Sequence, residues 1–225
     1  MGDSVGMVVH GLPNTVGVTL EMMILHGQAV MRASKKAMVV IDMPFGSYEG
    51  TPERAYDNAS RIMKETGAQG VKVEAGPTVP GTIEHLVKRG IPVMGHVGLT
   101  PQAVNVLGGY GARGKSEAEA NKIVRDARTL ASAGAFAIVV EGVIEPIAEQ
   151  VTQAVPCPTI GIGASAKCDG QVLVTEDMLG MFERVPRFVK RYEDLAGLIA
   201  GAAERYADEV RNRRFPGPDQ IYQAD

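Results

Sequence analysis

Short runs of consecutive apolar residues alternate along this chain with longer segments of helical period. The runs are Ala37–Ile41, Gly70–Val73, Ile91–Gly95, Phe136–Val140, Thr159–Ile162 and Gln171–Val174. They are continuous rather than alternating in polarity, the pattern of strands buried on both faces of a parallel sheet. Between them the spacing predicts helices over Thr19–Arg32, Pro52–Thr66, Gly81–Arg89, Ser116–Ala133 and Ile144–Val155. Thr51-Pro52-Glu53 supplies an N-cap, a proline at the first helical position and an acid in the first turn. Gly67, Gly90 and Gly134 follow helices that precede strands and read as C-caps. This alternation predicts α/β architecture, and six strands allow a (β/α)8 TIM barrel. A doubly wound sheet fits less well, because no G-x-G-x-x-G follows the first strand.

The chain is read as a single barrel domain over residues 1–225, with 212–225 a polar C-terminal tail. Its opening is unusual. Gly2-Asp3-Ser4 reads as the end of a strand whose earlier part is not there, and six strands plus this stub fall short of the eight that close a barrel.

Composition narrows the function. The 225 residues carry a net charge of −3, which gives no reason to expect nucleic acid or an anionic membrane as a partner. Cys157 and Cys168 follow no metal-ligand spacing and form no disulfide framework, so a reducing cytoplasm is the expected compartment. No apolar stretch approaches the ~20 residues that span a bilayer.

Three acids mark the candidate chemistry. Asp3, Asp42 and Glu74 each stand where an apolar run gives way to a Gly- or Pro-containing segment. An acid that ends a parallel strand lies at the sheet's carboxyl edge, where such folds bind ligands. Three carboxylates without a Cys or His pattern beside them suit a hard cation such as Mg²⁺. A helix N-cap is the competing reading of each acid taken alone. Glu141 ends the run Phe136–Val140 at the same edge, and a cap or salt-bridged acid competes there too. Period-two alternation turns Lys72 to the side that Glu74 faces. His96 ends another run, either as an accessory contact to a ligand or as a core histidine. The glycines of Gly161–Ala164 serve either a phosphate or a tight turn, and the Gly108–Gly114 loop with Tyr110 either covers the site or is plain surface.

Longer motifs add a resemblance. Gly2-Asp3-Ser4-Val5-Gly6-Met7-Val8-Val9-His10-Gly11, Asp42-Met43-Pro44-Phe45-Gly46-Ser47-Tyr48 and Gly95-His96-Val97-Gly98-Leu99-Thr100-Pro101-Gln102 are similar to signatures of the ketopantoate hydroxymethyltransferase family. So are Gly161-Ile162-Gly163-Ala164 and Cys168-Asp169-Gly170-Gln171-Val172-Leu173-Val174. The resemblance implies a barrel of the phosphoenolpyruvate mutase/isocitrate lyase type, assembled as a homo-oligomer, a decamer in the family. It also implies transfer of a hydroxymethyl group from 5,10-methylenetetrahydrofolate to 3-methyl-2-oxobutanoate through a Mg-stabilised enolate. The product, ketopantoate (2-dehydropantoate), leads to pantothenate and coenzyme A.

By that resemblance Asp3, Asp42 and Glu74 hold Mg²⁺, while Asp3, Ser4, Asp42 and Lys72 bind the 2-oxo acid and Glu141 is the base. The family carries its first strand, first helix and most of its second strand ahead of the position of Gly2. Ser165 replaces its usual glycine, and Glu176 its usual histidine. Two other readings stand beside this one: a catalytically impaired truncated subunit or scaffold paralogue, and a related 2-oxo acid carbon–carbon lyase. The lack of a Lys-Lys-Cys-Gly-His motif counts against the lyase.

Overall fold

The computed structural model describes residues Met1–Tyr222. Six parallel strands form one sheet: β1 (Val40–Asp42), β2 (Gly70–Glu74), β3 (Val93–Gly98), β4 (Ala137–Glu141), β5 (Thr159–Ile162) and β6 (Gly170–Gln171). Each strand pairs with the next in sequence, so the order never reverses. That is the winding of a (β/α) barrel rather than of a doubly wound sheet, whose order switches direction. On the free side of β1, the Met1 amine donates to Val40 O at 2.7 Å and Met1 O accepts from Asp42 N at 3.1 Å. This is the hydrogen-bond pattern of a further parallel strand, in keeping with the strand end expected just before Asp3.

The helices are α1 (Val5–Val8), α2 (Leu20–Ala33), α3 (Pro52–Thr66), α4 (Val79–Val87), α5 (Val104–Leu107), α6 (Glu117–Ser132), α7 (Glu145–Ala154), α8 (Thr175–Met178) and α9 (Leu195–Arg211). Local chemistry sets their ends. The hydroxyls of Thr19, Thr51 and Ser116 accept from the amides of Met22, Arg54 and Glu119 at 3.2, 3.2 and 3.3 Å, as N-caps do. Gly67, with φ 80°, closes α3 in a left-handed turn that a side chain would strain.

One face of the sheet packs on helices. Ile41, Val71, Val73, Val93 and Ile138 are wholly buried, as are Ile62 of α3 and Ile83 and Leu86 of α4. Each such side chain contributes roughly 1.5–3 kcal/mol on leaving water. A Cβ at Gly95 would stand 3.0 Å from Leu130 of α6, so even-numbered β3 residues face the other way. That other face carries the candidate site.

The chain divides into two compact units, Met1–Val172 and one that begins at Leu173. The run expected as a strand over Gln171–Val174 pairs only through Gly170–Gln171, and Val174 already caps α8. Val172 is 45% exposed: β6 has a neighbour on one side only among the described residues, so little burial holds the run extended. Helix α9 was not expected from the pattern. It buries no residue, and Leu198, Ile199 and Tyr206 stand exposed on it, so its apolar positions mark no core-facing stripe. Of the expected polar tail, residues 223–225 lie outside the described residues. No described helix is long and apolar enough to cross a membrane.

Candidate active site

Strand register gathers the site. Lys72 of β2 lies opposite Asp42 of β1, Glu74 opposite His96 of β3, and Glu141 of β4 opposite Gly98. Because side chains alternate, Asp42, Lys72, Glu74, His96 and Glu141 all project from the face away from the helices. Asp3 joins them from the turn before α1, where its backbone N donates to Asp42 Oδ2 at 3.0 Å. Ser4 borders the same corner: a Cβ at Gly2 would stand 3.1 Å from Ser4 Oγ and 3.5 Å from Asp42 Oδ2. Asp3, Ser4, Asp42, Lys72, Glu74, His96 and Glu141 therefore meet at one end of the sheet.

At the centre is Lys72. Its Nζ is 3.2 Å from Asp42 Oδ1 and 3.2 Å from His96 Nδ1. Burial alone would pull this ammonium down, but Asp42, Glu74, Asp3 and Glu141 outweigh it and hold Lys72 well above its ordinary value. A permanent ammonium donates, so His96 Nδ1 accepts and the imidazole proton resides on Nε2. Burial and then the Lys72 charge push the His96 pKa down, which keeps the ring neutral. Its Nε2 makes no hydrogen bond within the protein, although Glu141 Oε2 stands 3.3 Å away. The site thus holds a buried N–H donor that no protein acceptor uses.

The acids are crowded. Burial, followed by the Asp42 charge, raises Asp3 to about 7. Burial also lifts Glu74 well above the carboxylate range, against the pull of Lys72. Glu141 is the more open, with a side chain 18% exposed against 2% for His96. A small cavity adjoins this edge, lined in part by Ala75, Gly98, Thr100 and Arg113. Tyr110 of the glycine-rich loop is 47% exposed, and its phenol is raised by partial burial and by the charges of Asp3, Glu141 and Glu74.

Gly98 matters to this edge. It has φ 95°, and a Cβ there would lie 2.4 Å from Glu141 O. Gly161, by contrast, needs no phosphate to explain it: a Cβ would press on the Gln171 side chain at 3.0 Å and Cys168 Sγ at 3.1 Å. Ser165, where a glycine was expected, does not adopt positive φ; its hydroxyl accepts from Lys167 N at 3.1 Å.

Among the described residues, no three His, Cys, Asp or Glu side chains form a ready-made metal cage. The donor chemistry still fits a hard cation. Asp3, Asp42, Glu74 and Glu141 crowd around Lys72, all oxygen donors with negative charge in excess. Such a cation takes one or two carboxylates and fills its remaining positions with water or substrate oxygens.

Two residues of the site, Tyr48 and Gln102, stand in the motifs quoted from the sequence but were given no role there. Neither ends a strand, and nothing in periodicity or charge sets them apart from their neighbours. Tyr48 OH donates to Gln102 Oε1 at 2.7 Å and accepts from Glu74 N at 3.1 Å.

Comparison with known proteins assigns the family. Residues 1–218 match the family model described as ketopantoate hydroxymethyltransferase. The chain belongs to that family. It is 71% identical over 223 residues to a 3-methyl-2-oxobutanoate hydroxymethyltransferase of Novosphingobium aromaticivorans, covering 99% of this chain and 77% of the relative. A Caulobacter vibrioides enzyme of the same name is 69% identical, covering 100% of this chain and 82% of its own length. Among solved structures, a phosphoenolpyruvate phosphomutase from Streptomyces platensis subsp. rosaceus aligns with a TM-score of 0.55 at 14% identity, over 99% of this chain and 79% of that one. A 2,3-dimethylmalate lyase of the PEP mutase/isocitrate lyase superfamily gives 0.54 at 19% identity, over 99% and 76%. These two likenesses speak to fold alone, and the ketopantoate hydroxymethyltransferase chain shares the TIM-like α/β fold of that superfamily.

Proposed function

We propose that this ketopantoate hydroxymethyltransferase family chain converts 3-methyl-2-oxobutanoate to ketopantoate, drawing its one-carbon unit from 5,10-methylenetetrahydrofolate. The observation that carries the reading is the Lys72 ammonium, held between Asp42 and His96 with Glu141 just beyond. A fixed cation beside a carboxylate base is what deprotonation of a 2-oxo acid at C3 requires.

Lys72, with Ser4 at the edge, binds and orients the substrate carboxylate. Glu141, the open end of the cluster, takes the C3 proton. The His96 Nε2–H, which lacks a protein acceptor, donates to a substrate oxygen as negative charge develops there. Asp3, Asp42 and Glu74 would hold Mg²⁺, which supplies electrophilic stabilisation of that charge when bound. The C3 carbanion then forms the new bond to the methylene carbon as a carbon–nitrogen bond of the folate breaks. Water forms the carbon–oxygen bond at that carbon as its second bond to a folate nitrogen breaks, the two nitrogens take up the proton lost from C3 and one from water, and tetrahydrofolate leaves. The family resemblance extends the proposal to a cytoplasmic homo-oligomer.

Proton NMR of 3-methyl-2-oxobutanoate in D₂O tests this directly. Mg²⁺-dependent loss of the C3 proton signal is expected in the presence of the chain, and ketopantoate should form once methylenetetrahydrofolate is added. Soluble, folded protein that leaves the C3 proton untouched with Mg²⁺ would overturn the reading.

A further inference from the structure

Gln102 lies in the turn after β3, outside every strand, yet its side chain is 5% exposed and bound at each polar atom. Nε2 donates to Asp3 Oδ2 at 2.8 Å and to Met43 O at 2.9 Å. Oε1 accepts from the Tyr48 hydroxyl at 2.7 Å, and the Gln102 backbone N donates to Glu74 Oε2 at 3.0 Å. The amide can sit only one way round. Reversed, its oxygen would face a carboxylate and a carbonyl, and its NH₂ would lose both acceptors. Tyr48 fixes the arrangement from behind, because Glu74 N occupies its oxygen and directs its proton to Gln102.

One side chain therefore ties together the turn at Asp3, the end of β1 at Met43 and, through Tyr48, the end of β2 at Glu74. Its contacts occupy Oδ2 of Asp3 and, through its backbone, Oε2 of Glu74. The other oxygen of each acid is left for a ligand. An amide does this without bringing charge: a lysine or arginine here would compete with a bound cation, and a glutamate would repel Asp3.

We propose that Gln102, steadied by Tyr48, is the positioning residue that selects which oxygens of Asp3 and Glu74 face a bound divalent cation. The inference rests on the magnesium reading of those acids. Gln102→Met keeps the volume and removes the amide. Tyr48→Phe removes one hydroxyl and leaves the amide in place but unsteadied.

The experiment is Mn²⁺ binding to the whole chain, followed by electron paramagnetic resonance, with the C3 exchange rate recorded in parallel. Gln102→Met should weaken Mn²⁺ binding roughly 10–100-fold and change the Mn²⁺ line shape, as loss of an outer-shell partner does. Tyr48→Phe should weaken it about threefold to tenfold, an order a general loss of packing would not impose. A folded Gln102→Met protein with parent affinity and line shape would overturn the inference and leave the magnesium reading standing. Should that variant not fold, parent-like binding by Tyr48→Phe overturns it equally. A parent chain that binds no Mn²⁺ would remove the magnesium reading and the inference with it.

Discussion

The Lys72 ammonium donates to His96 Nδ1 across 3.2 Å, joining β2 to β3 by a contact between a permanent cation and a neutral ring. This arrangement assigns the imidazole proton to Nε2, the atom nearer Glu141. Lys72→Met should therefore do two separable things. KM for 3-methyl-2-oxobutanoate is expected to rise roughly 10–100-fold, the worth of a charge-assisted hydrogen bond. The His96 pKa should move upward in an NMR titration, because the repelling charge is gone. An unmoved His96 resonance pattern would refute the tautomer assignment.

Glu141→Gln keeps size and polarity but cannot take a proton. Exchange of the substrate C3 proton should slow by about 10²–10⁴-fold, with substrate affinity changed far less. Parent-like exchange would show that another group is the base.

Asp3 carries a proton in the folded, metal-free protein up to about pH 7. A metal must displace it, so divalent-cation affinity should increase from pH 6 to pH 8 and binding should release a proton below pH 7. Calorimetry in buffers of different ionisation enthalpy measures both. Without metal the direction for stability is the opposite. The unfolded carboxyl loses its proton near pH 3.9, whereas the folded one keeps it to about pH 7. The folded state binds more protons in that window, so this group's contribution falls as pH rises through it. Asp3→Asn should flatten that slope in metal-free urea unfolding.

Gly98→Ala places a Cβ 2.4 Å from Glu141 O at a φ of 95°. A loss of about 2–4 kcal/mol in unfolding free energy is expected from the strain and the clash. Leu99 N donates to that same Glu141 O at 2.8 Å, so exchange should fall with stability. An alanine variant of parent stability would mean that the edge is slack.

Asp169 accepts from Thr159 N at 2.8 Å and from the Thr159 hydroxyl at 2.9 Å, and these bonds hold its carboxyl below the usual range. Its contribution is present above the unfolded pKa near 3.9 and is lost as pH falls through the lower folded value. Asp169→Asn should lower Tm at neutral pH, with the gap to the parent narrowing on acidification. A gap that persists unchanged in acid would show that the carboxylate charge is not what matters there.

Much of this was legible without a structure. The unbroken apolar runs and the caps at Thr51 and Gly67 act within a few residues, so the linear pattern contains them. The runs also set which residues end the strands, and parallel winding sends those ends to one edge; Asp42, Glu74 and Glu141 follow from that alone. What the sequence could not decide depends on contacts between distant positions. Gln102 meets Asp3 across 99 positions, and nothing local to either marks the meeting. The neutral state of His96 comes from Lys72, placed near it by the register between β2 and β3. Helix α9 is likewise invisible to an argument built on a buried stripe, because none of its residues is buried. Periodicity reports which face of an element avoids water, whereas the partner and the angle of a polar side chain are set only once the strands have paired.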